Sequence, residues 1–123
     1  MPHYNGLTLA YIGDAAYEIF VREYLLLNGL TKVDNLHKAA IKFTCAEGQA
    51  KAFNLIESSL TEEEILIFKR GRNGKTDRKA RNASLADYKK ATGFESIIGQ
   101  LYLDKAFERL NELFNIISEG IDK

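Results

Sequence analysis

The chain has 123 residues, of which 46% are hydrophobic, and this is enough for one buried core but not for two. Seventeen basic and 17 acidic residues cancel, so only the distribution of charge along the chain can indicate a polyanionic partner. Cys45 is the only cysteine, which excludes an internal disulfide and a zinc site built on several cysteines. We expect a single domain over residues 1–123 in a reducing cytoplasm, without a signal peptide or a membrane-spanning segment.

The sequence predicts an all-α fold, because Pro2 is the only proline and apolar residues recur every three or four positions. A first helix is expected from Leu7 to Leu27, with the pair Asn28-Gly29 as its stop. Its expected apolar stripe comprises Leu7, Tyr11, Tyr17, Val21 and Leu25. Asp34 is expected to cap a second helical stretch, which continues to Ile56 either as one kinked helix or as two helices.

Thr61 and Glu64 have the spacing of a capping box, in which a hydroxyl and a carboxylate each bond the other residue's backbone amide. They are expected to open a helix that leads into a basic segment. From Arg70 to about Ala83 the apolar periodicity stops and glycine and asparagine accumulate, which favours a surface loop.

Further helix signals follow this segment. Ser84 and Asp87 are expected to cap a short helical turn. Thr92 and Glu95 repeat the capping-box spacing, which predicts the start of another helix there. A last helix is expected to end at Gly120.

Two carboxylates occupy positions where the helical periodicity predicts apolar residues. Asp14 interrupts the face of the first helix and Glu95 that of the penultimate helix, each with a neighbouring glycine, Gly13 or Gly99. A glycine inside a helix indicates close approach of another backbone or of a ligand. Because buried carboxylates need a cation or hydrogen-bond donors, one hypothesis is that the two converge on Mg²⁺ or Mn²⁺. Two structural interpretations stay open: Glu95 as the carboxylate of the Thr92 capping box, and Asp14 paired with a core arginine.

Positive charge is concentrated between positions 69 and 90. This stretch has two acidic residues and nine basic ones, a net charge of +7, which leaves −7 on the rest of the chain. The basic residues are Lys69, Arg70, Arg72, Lys75, Arg78, Lys79, Arg81, Lys89 and Lys90. Such segregation predicts a polyanionic partner, with arginines suited to phosphate groups. The alternative is a solvated charge run that complements the acidic surface of the same molecule or of a second subunit. Without helical periodicity, a DNA-recognition helix is less favoured.

Four stretches occur in a characteristic order: Leu9-Ala10-Tyr11-Ile12-Gly13-Asp14-Ala15-Ala16-Tyr17-Glu18, Leu36-His37-Lys38, Arg70-Gly71-Arg72-Asn73, and Ala91-Thr92-Gly93-Phe94-Glu95-Ser96-Ile97-Ile98-Gly99-Gln100-Leu101-Tyr102-Leu103. Together they resemble the Mini-III subfamily of bacterial ribonuclease III, and the resemblance covers nearly the whole chain. It implies a ribonuclease III endonuclease-like helical bundle that forms a homodimer, requires Mg²⁺ and cleaves double-stranded RNA. It also implies maturation of the large-subunit (23S) ribosomal RNA precursor and no separate double-stranded-RNA-binding domain.

The resemblance places Asp14 on the aspartate of the ribonuclease III signature motif and Glu95 on its distal metal-binding glutamate. Ala10 and Thr92 stand where the wider family has two further acidic residues, and this departure matches the Mini-III pattern. The number of metal ions per site therefore stays open. Cys45 occupies a position where a small hydroxyl residue is expected.

The resulting hypothesis is hydrolysis at Mg²⁺ held by Asp14 and Glu95, largely through water, giving 5′-phosphate and 3′-hydroxyl ends. His37, within its short stretch, is expected to orient structure or contact RNA rather than act as a general base. RNA contacts are expected from Arg70, Arg72, Asn73, Lys75, Arg78, Lys79 and Arg81. Two alternatives are a catalytically inactive RNA-binding scaffold and a helical adaptor that binds only protein.

Overall fold

The structure is a computed structural model that describes residues 3–75 and 84–121. Over these residues the chain forms six α-helices, one short 3₁₀ helix and no strand, which confirms the predicted all-α class. The α-helices are α1 Gly6–Leu27, α2 Val33–Thr44, α3 Ala46–Ile56, α4 Glu62–Arg72, α5 Leu85–Leu103 and α6 Phe107–Gly120, and the 3₁₀ helix is Glu57–Ser59. None of the helices in this part of the chain combines the length and apolar character needed to cross a membrane.

Helix α5 lies at the centre of the fold. It packs along α1 and also contacts α3, α4 and α6, while α2 covers α1. Phe94 and Ile97 of α5 are fully buried, and the Phe94 ring meets the buried Tyr17 of α1 edge-on, with 4.9 Å between ring centroids. A helix with partners on several sides needs apolar or small residues around most of its circumference. This position explains why α5 lacks a single polar face.

Helix α1 begins and ends close to the predicted positions. Asn5 caps it, since its side-chain oxygen accepts a hydrogen bond from the Thr8 amide at 2.8 Å. The chain leaves the helix at Asn28 and Gly29, and Gly29 has a φ of +93°, which confirms the predicted stop. The assignment of Tyr11 to the apolar stripe is wrong, because its side chain is 79% exposed.

The stretch after α1 is two helices rather than one kinked helix. Cys45 ends α2 and begins α3, and its Sγ accepts a hydrogen bond from the Gly48 amide at 3.3 Å. At the position where a small hydroxyl residue was expected, a thiol therefore caps α3. The predicted cap at Asp34 is wrong, because α2 begins after Lys32 and Asp34 lies within its first turn.

The predicted capping box at the start of α4 is confirmed. Thr61 and Glu64 bond each other's backbone amides at 2.9 and 3.1 Å, and Arg109 of α6 bonds both Glu64 carboxylate oxygens at 2.7 and 2.9 Å. The predicted loop begins later than expected, since Arg70 and Arg72 belong to the last turn of α4. The remainder of that loop, residues 76–83, lies outside the described residues.

Helix α5 is longer than the sequence pattern indicated. Ser84 caps it through a 3.0 Å bond from the Asp87 amide, and the helix then continues without a break to Leu103. The predicted short turn and the capping box at Thr92 and Glu95 are therefore both wrong. The predicted end of the last helix at Gly120 is confirmed.

Candidate active site

Two glycines let α1 and α5 touch backbone to backbone. A Cβ atom on Gly13 would lie 1.8 Å from the carbonyl oxygen of Glu95, and one on Gly99 would lie 1.9 Å from that of Leu9. Both distances are far shorter than any side chain permits, so only glycine fits at either position. The close backbone approach predicted at Gly13 is confirmed.

This crossing brings together the two carboxylates that the sequence singled out. Asp14 follows Gly13 directly, and Glu95 supplies the carbonyl that Gly13 touches, so their side chains leave the crossing on the same side. They face one cleft of about 430 Å³, lined by Leu7, Ala10, Tyr11, Asp14, Tyr88, Thr92 and Glu95. Asp14 is exposed, while Glu95 is partly buried. Ala10 and Thr92, which stand where the resemblance to ribonuclease III leads us to expect acidic residues, face the same cleft.

The environment of Glu95 opposes its negative charge. Burial, followed by the hydrogen bond and the charge of Asp14, raises the pKa of Glu95 to about 9, against a smaller lowering effect of Gln49. Without a cation, Glu95 therefore carries a proton at neutral pH. Two hard oxygen ligands in this state are suited to a divalent cation, which would replace the proton and compensate both charges.

The structural alternatives for these carboxylates find no support in the described residues. Thr92 lies inside α5 and its hydroxyl donates to the Tyr88 carbonyl at 3.0 Å, so Glu95 belongs to no capping box. Ion pairs in the described ranges join Arg22 to Glu18, and Arg109 to Glu64 and Glu112, and none includes Asp14. Over these ranges no third His, Cys, Asp or Glu completes a metal-binding cluster with Asp14 and Glu95.

Gln49 is a residue of this site that the sequence analysis missed. It lies on α3, its side chain is only 3% exposed, and its Nε2 donates to Glu95 Oε2 at 3.2 Å. The signal was present, because Gln49 precedes Phe53 and Ile56 by four and seven residues and so interrupts the apolar stripe of α3. The reasoning applied to Asp14 and Glu95 finds it as well.

Two of the described basic residues line a groove that borders the carboxylate cleft. Arg70 and Lys75 form this groove of about 620 Å³ together with residues 3–7, which lead into α1, and Leu7 borders both the groove and the cleft. The Arg72 guanidinium lies over the Phe68 ring at 5.5 Å and bonds the Asn73 side chain at 3.2 Å. The structure thus places a positive groove next to the carboxylates. Arg78, Lys79 and Arg81 lie outside the described residues.

Ser96 of α5 contacts both helices that border the basic groove, α1 and α4. The Ser96 hydroxyl donates to the Gly6 carbonyl at 2.7 Å. A Cβ atom on Gly71 would lie 2.1 Å from the Ser96 hydroxyl oxygen. The start of α1, the end of α4 and the middle of α5 therefore meet at one point. The position of Arg70 relative to Glu95 is set by the packing of three helices.

Replacing Glu95 by glutamine should stabilise the metal-free protein at neutral and alkaline pH. The folded-state pKa lies above the ordinary value of 4.5, so the wild type loses stability as pH rises from 4.5 towards 9. A glutamine amide donates to Asp14 as the protonated carboxyl does, without the ionisation cost. Since the carboxyl keeps some contact with water, we expect a gain of about 2 kcal/mol at pH 8 and almost none at pH 4.5. Urea unfolding in EDTA measures it, and parallel pH profiles for the two proteins would contradict the assignment.

Comparison with known proteins gives a consistent family assignment. The Ribonuclease III domain family matches residues 7–106. A Mini-ribonuclease 3 of Clostridium tetani is 51% identical over 114 residues, which cover 92% of this chain and 76% of that protein. One from Enterococcus faecalis is 49% identical over 113 residues, covering 90% and 86%. A crystal structure of a Fusobacterium nucleatum protein matches with a TM-score of 0.85 and 37% identity over 95% of this chain and 93% of that one. The chain therefore belongs to the ribonuclease III family, in its Mini-ribonuclease III subfamily.

Proposed function

We propose that this protein is a Mg²⁺-dependent endoribonuclease that cleaves double-stranded RNA at the cleft between Asp14 and Glu95. Family membership supplies the activity class, an endoribonuclease. The observation that supports the site is the pairing of two carboxylates, with no protein cation beside them in the described residues, next to a basic groove. Binding of a divalent cation by both carboxylates would replace the proton on Glu95 and give the pairing a catalytic role.

Asp14 and Glu95 are the proposed ligands. A divalent cation bound there supplies Lewis acidity, which makes water a competent nucleophile near neutral pH and offsets charge on the phosphate. Asp14, exposed at the cleft, can also accept hydrogen bonds from water ligands of the cation. Glu95, partly buried, holds its carboxylate from the α5 side, with Gln49 behind it. The products expected are a 5′-phosphate and a 3′-hydroxyl.

Duplex RNA fits the arrangement of charge. Arg70 and Lys75 lie on one side of Leu7 and the carboxylates on the other, so a strand whose phosphates bind in the groove passes the cleft. A-form RNA presents its phosphates and 2′-hydroxyls across a shallow minor groove, which a single domain can recognise by shape. We further propose, from the subfamily resemblance, a homodimer acting on precursor ribosomal RNA of the large subunit.

The second candidate is an inactive scaffold that binds duplex RNA without cleaving it. Ala10 and Thr92 favour it, because they leave the cleft with two carboxylates where the wider family is expected to have four. Incubation with a long duplex RNA, with and without Mg²⁺, followed by gel electrophoresis separates the candidates. Shortened products that form only with Mg²⁺ and carry 5′-phosphate ends support the nuclease. An intact but shifted RNA band supports the scaffold.

Replacing Arg70 and Lys75 together by glutamine should weaken binding of duplex RNA about tenfold and flatten its salt dependence. Each side chain that neutralises a phosphate adds close to one unit to the slope of log K against log salt, so we expect a decrease of about two. The measurement is a salt titration of binding in EDTA, where no cleavage occurs. A double Lys38→Gln, Lys51→Gln variant removes the same charge from α2 and α3 and should keep the wild-type slope. A wild-type slope for the Arg70→Gln, Lys75→Gln variant would exclude the groove from the interface.

A further inference from the structure

Gln49 binds Glu95 from the side opposite the cleft. Its carboxamide is buried between α3 and α5, and it donates to Oε2 of Glu95 at 3.2 Å, although the two residues are 46 positions apart in the chain. Among the described residues no other donor bonds the Glu95 carboxylate, so Oε1 has no protein partner of this kind. One oxygen of Glu95 is thus fixed and the other is left for the site.

The backbone determines where Gln49 points. The Cys45 sulfur accepts a hydrogen bond from the Gly48 amide, which fixes the first turn of α3. A Cβ atom on Gly48 would lie 2.0 Å from the Lys42 carbonyl, so the end of α2 and the start of α3 are in direct contact. Gln49 is the next residue, and its direction towards α5 follows from this packing rather than from a side-chain choice.

Glutamine is seldom buried, and the chemistry of its carboxamide explains why it suits position 49. Lysine or arginine at this position would also bond Glu95, but their positive charge would neutralise the carboxylate permanently and repel a second cation. The carboxamide donates a hydrogen bond without adding net charge. It therefore orients the carboxylate and leaves its negative charge available.

We propose that Gln49 is a positioning residue that holds Glu95 in the orientation in which Oε1 and Asp14 can bind one cation. This proposal rests on the proposed function, since it concerns the same site. Residues that bind a metal ion are commonly oriented by hydrogen bonds from neighbouring residues that do not touch the metal. Loss of such a hydrogen bond lowers metal affinity about 10- to 100-fold. Gln49 has this role for the carboxylate of Glu95, which is one of two acidic residues that line the cleft in the described part of the chain.

The test replaces Gln49 by methionine, which has a similar length but no donor. We expect the Kd for Mn²⁺, measured by calorimetry without RNA, to rise about tenfold, and the Mg²⁺ concentration that gives half-maximal cleavage to rise by the same factor. Cleavage at saturating Mg²⁺ should recover most of the wild-type rate. Binding of duplex RNA in EDTA should stay unchanged, because the basic groove is untouched.

Gln100→Met is the matched control, because Gln100 also donates its Nε2 to a carboxylate, that of Asp104, at 3.0 Å, but does not line the carboxylate cleft. It should bind Mn²⁺ like the wild type. If Gln49→Met loses its helical circular dichroism, Gln49→Asn withdraws the carboxamide by one methylene and should raise the Mn²⁺ Kd in the same direction. An unchanged Mn²⁺ Kd in a folded Gln49 variant overturns the proposal. A wild type that binds Mn²⁺ but cleaves no duplex overturns the proposed function instead, and the Mn²⁺ titration still decides the role of Gln49.

Discussion

Replacing Asp14 by asparagine should lower the rate of duplex RNA cleavage by about a thousandfold or more while the fold and RNA binding persist. Asparagine has nearly the same shape, and Asp14 is exposed, so the packing of α1 on α5 does not depend on its charge. The substitution leaves Glu95 as the only carboxylate among the described residues that line the cleft. A loss of about 4 kcal/mol in stabilisation of the transition state corresponds to this factor. Single-turnover cleavage at several Mg²⁺ concentrations measures it.

Glu18→Gln is the control for this variant. Glu18 lies one turn further along α1, where it pairs with Arg22 at 3.1 Å on the surface rather than in the cleft. A surface pair of this kind contributes about 0.5 kcal/mol, so this variant should cleave at close to the wild-type rate. If Asp14→Asn retained more than about a tenth of the activity, Asp14 could not be a ligand of the essential cation.

Replacing Gly13 by alanine should destabilise the protein by about 3 kcal/mol, although alanine is the better helix former. Helix propensity alone predicts a gain of about 1 kcal/mol. The added Cβ would lie 1.8 Å from the Glu95 carbonyl oxygen, and a backbone atom cannot move aside as the end of a side chain can. The helices must separate at their crossing, which also moves Asp14 away from Glu95. We therefore expect cleavage to fall together with stability.

The neighbouring Ala15 provides the opposite comparison. It is exposed on the same helix, so Ala15→Gly should cost only the propensity difference of about 1 kcal/mol and leave cleavage unchanged. Chemical denaturation of both variants gives the two values. A stability gain for Gly13→Ala would mean that α1 and α5 do not touch at this position.

Local sequence patterns predicted helix ends best where a residue type has one specific conformational or hydrogen-bonding role. Asn28-Gly29 ended α1 because glycine accepts a positive φ, and the capping box at Thr61 opened α4 because both of its hydrogen bonds are short-range. The same spacing at Thr92 was misleading. Ser84 had already started α5 eight residues earlier, and spacing alone does not reveal whether a helix has begun.

Part of the candidate site was predictable from the sequence. A carboxylate on the apolar face of a helix requires a cation or hydrogen-bond donors, and this requirement identified Asp14 and Glu95. Their meeting depends on the crossing of helices some eighty residues apart, which the glycines beside them indicate but do not specify. Gln49 also interrupts an apolar stripe, but it was missed because an uncharged carboxamide costs less to bury than a carboxylate and does not by itself require a cation. Tyr11 was misassigned because an aromatic ring also fits the rim of a cleft.

The helix crossing at Gly13 and Gly99 has a consequence for the newly made chain. Asp14 is translated 81 residues before Glu95. Until α5 has been made and has packed on α1, the two sides of the cleft belong to separate segments of the chain. The proposed cation site therefore exists only in the folded tertiary structure and is absent from a nascent chain that ends before α5.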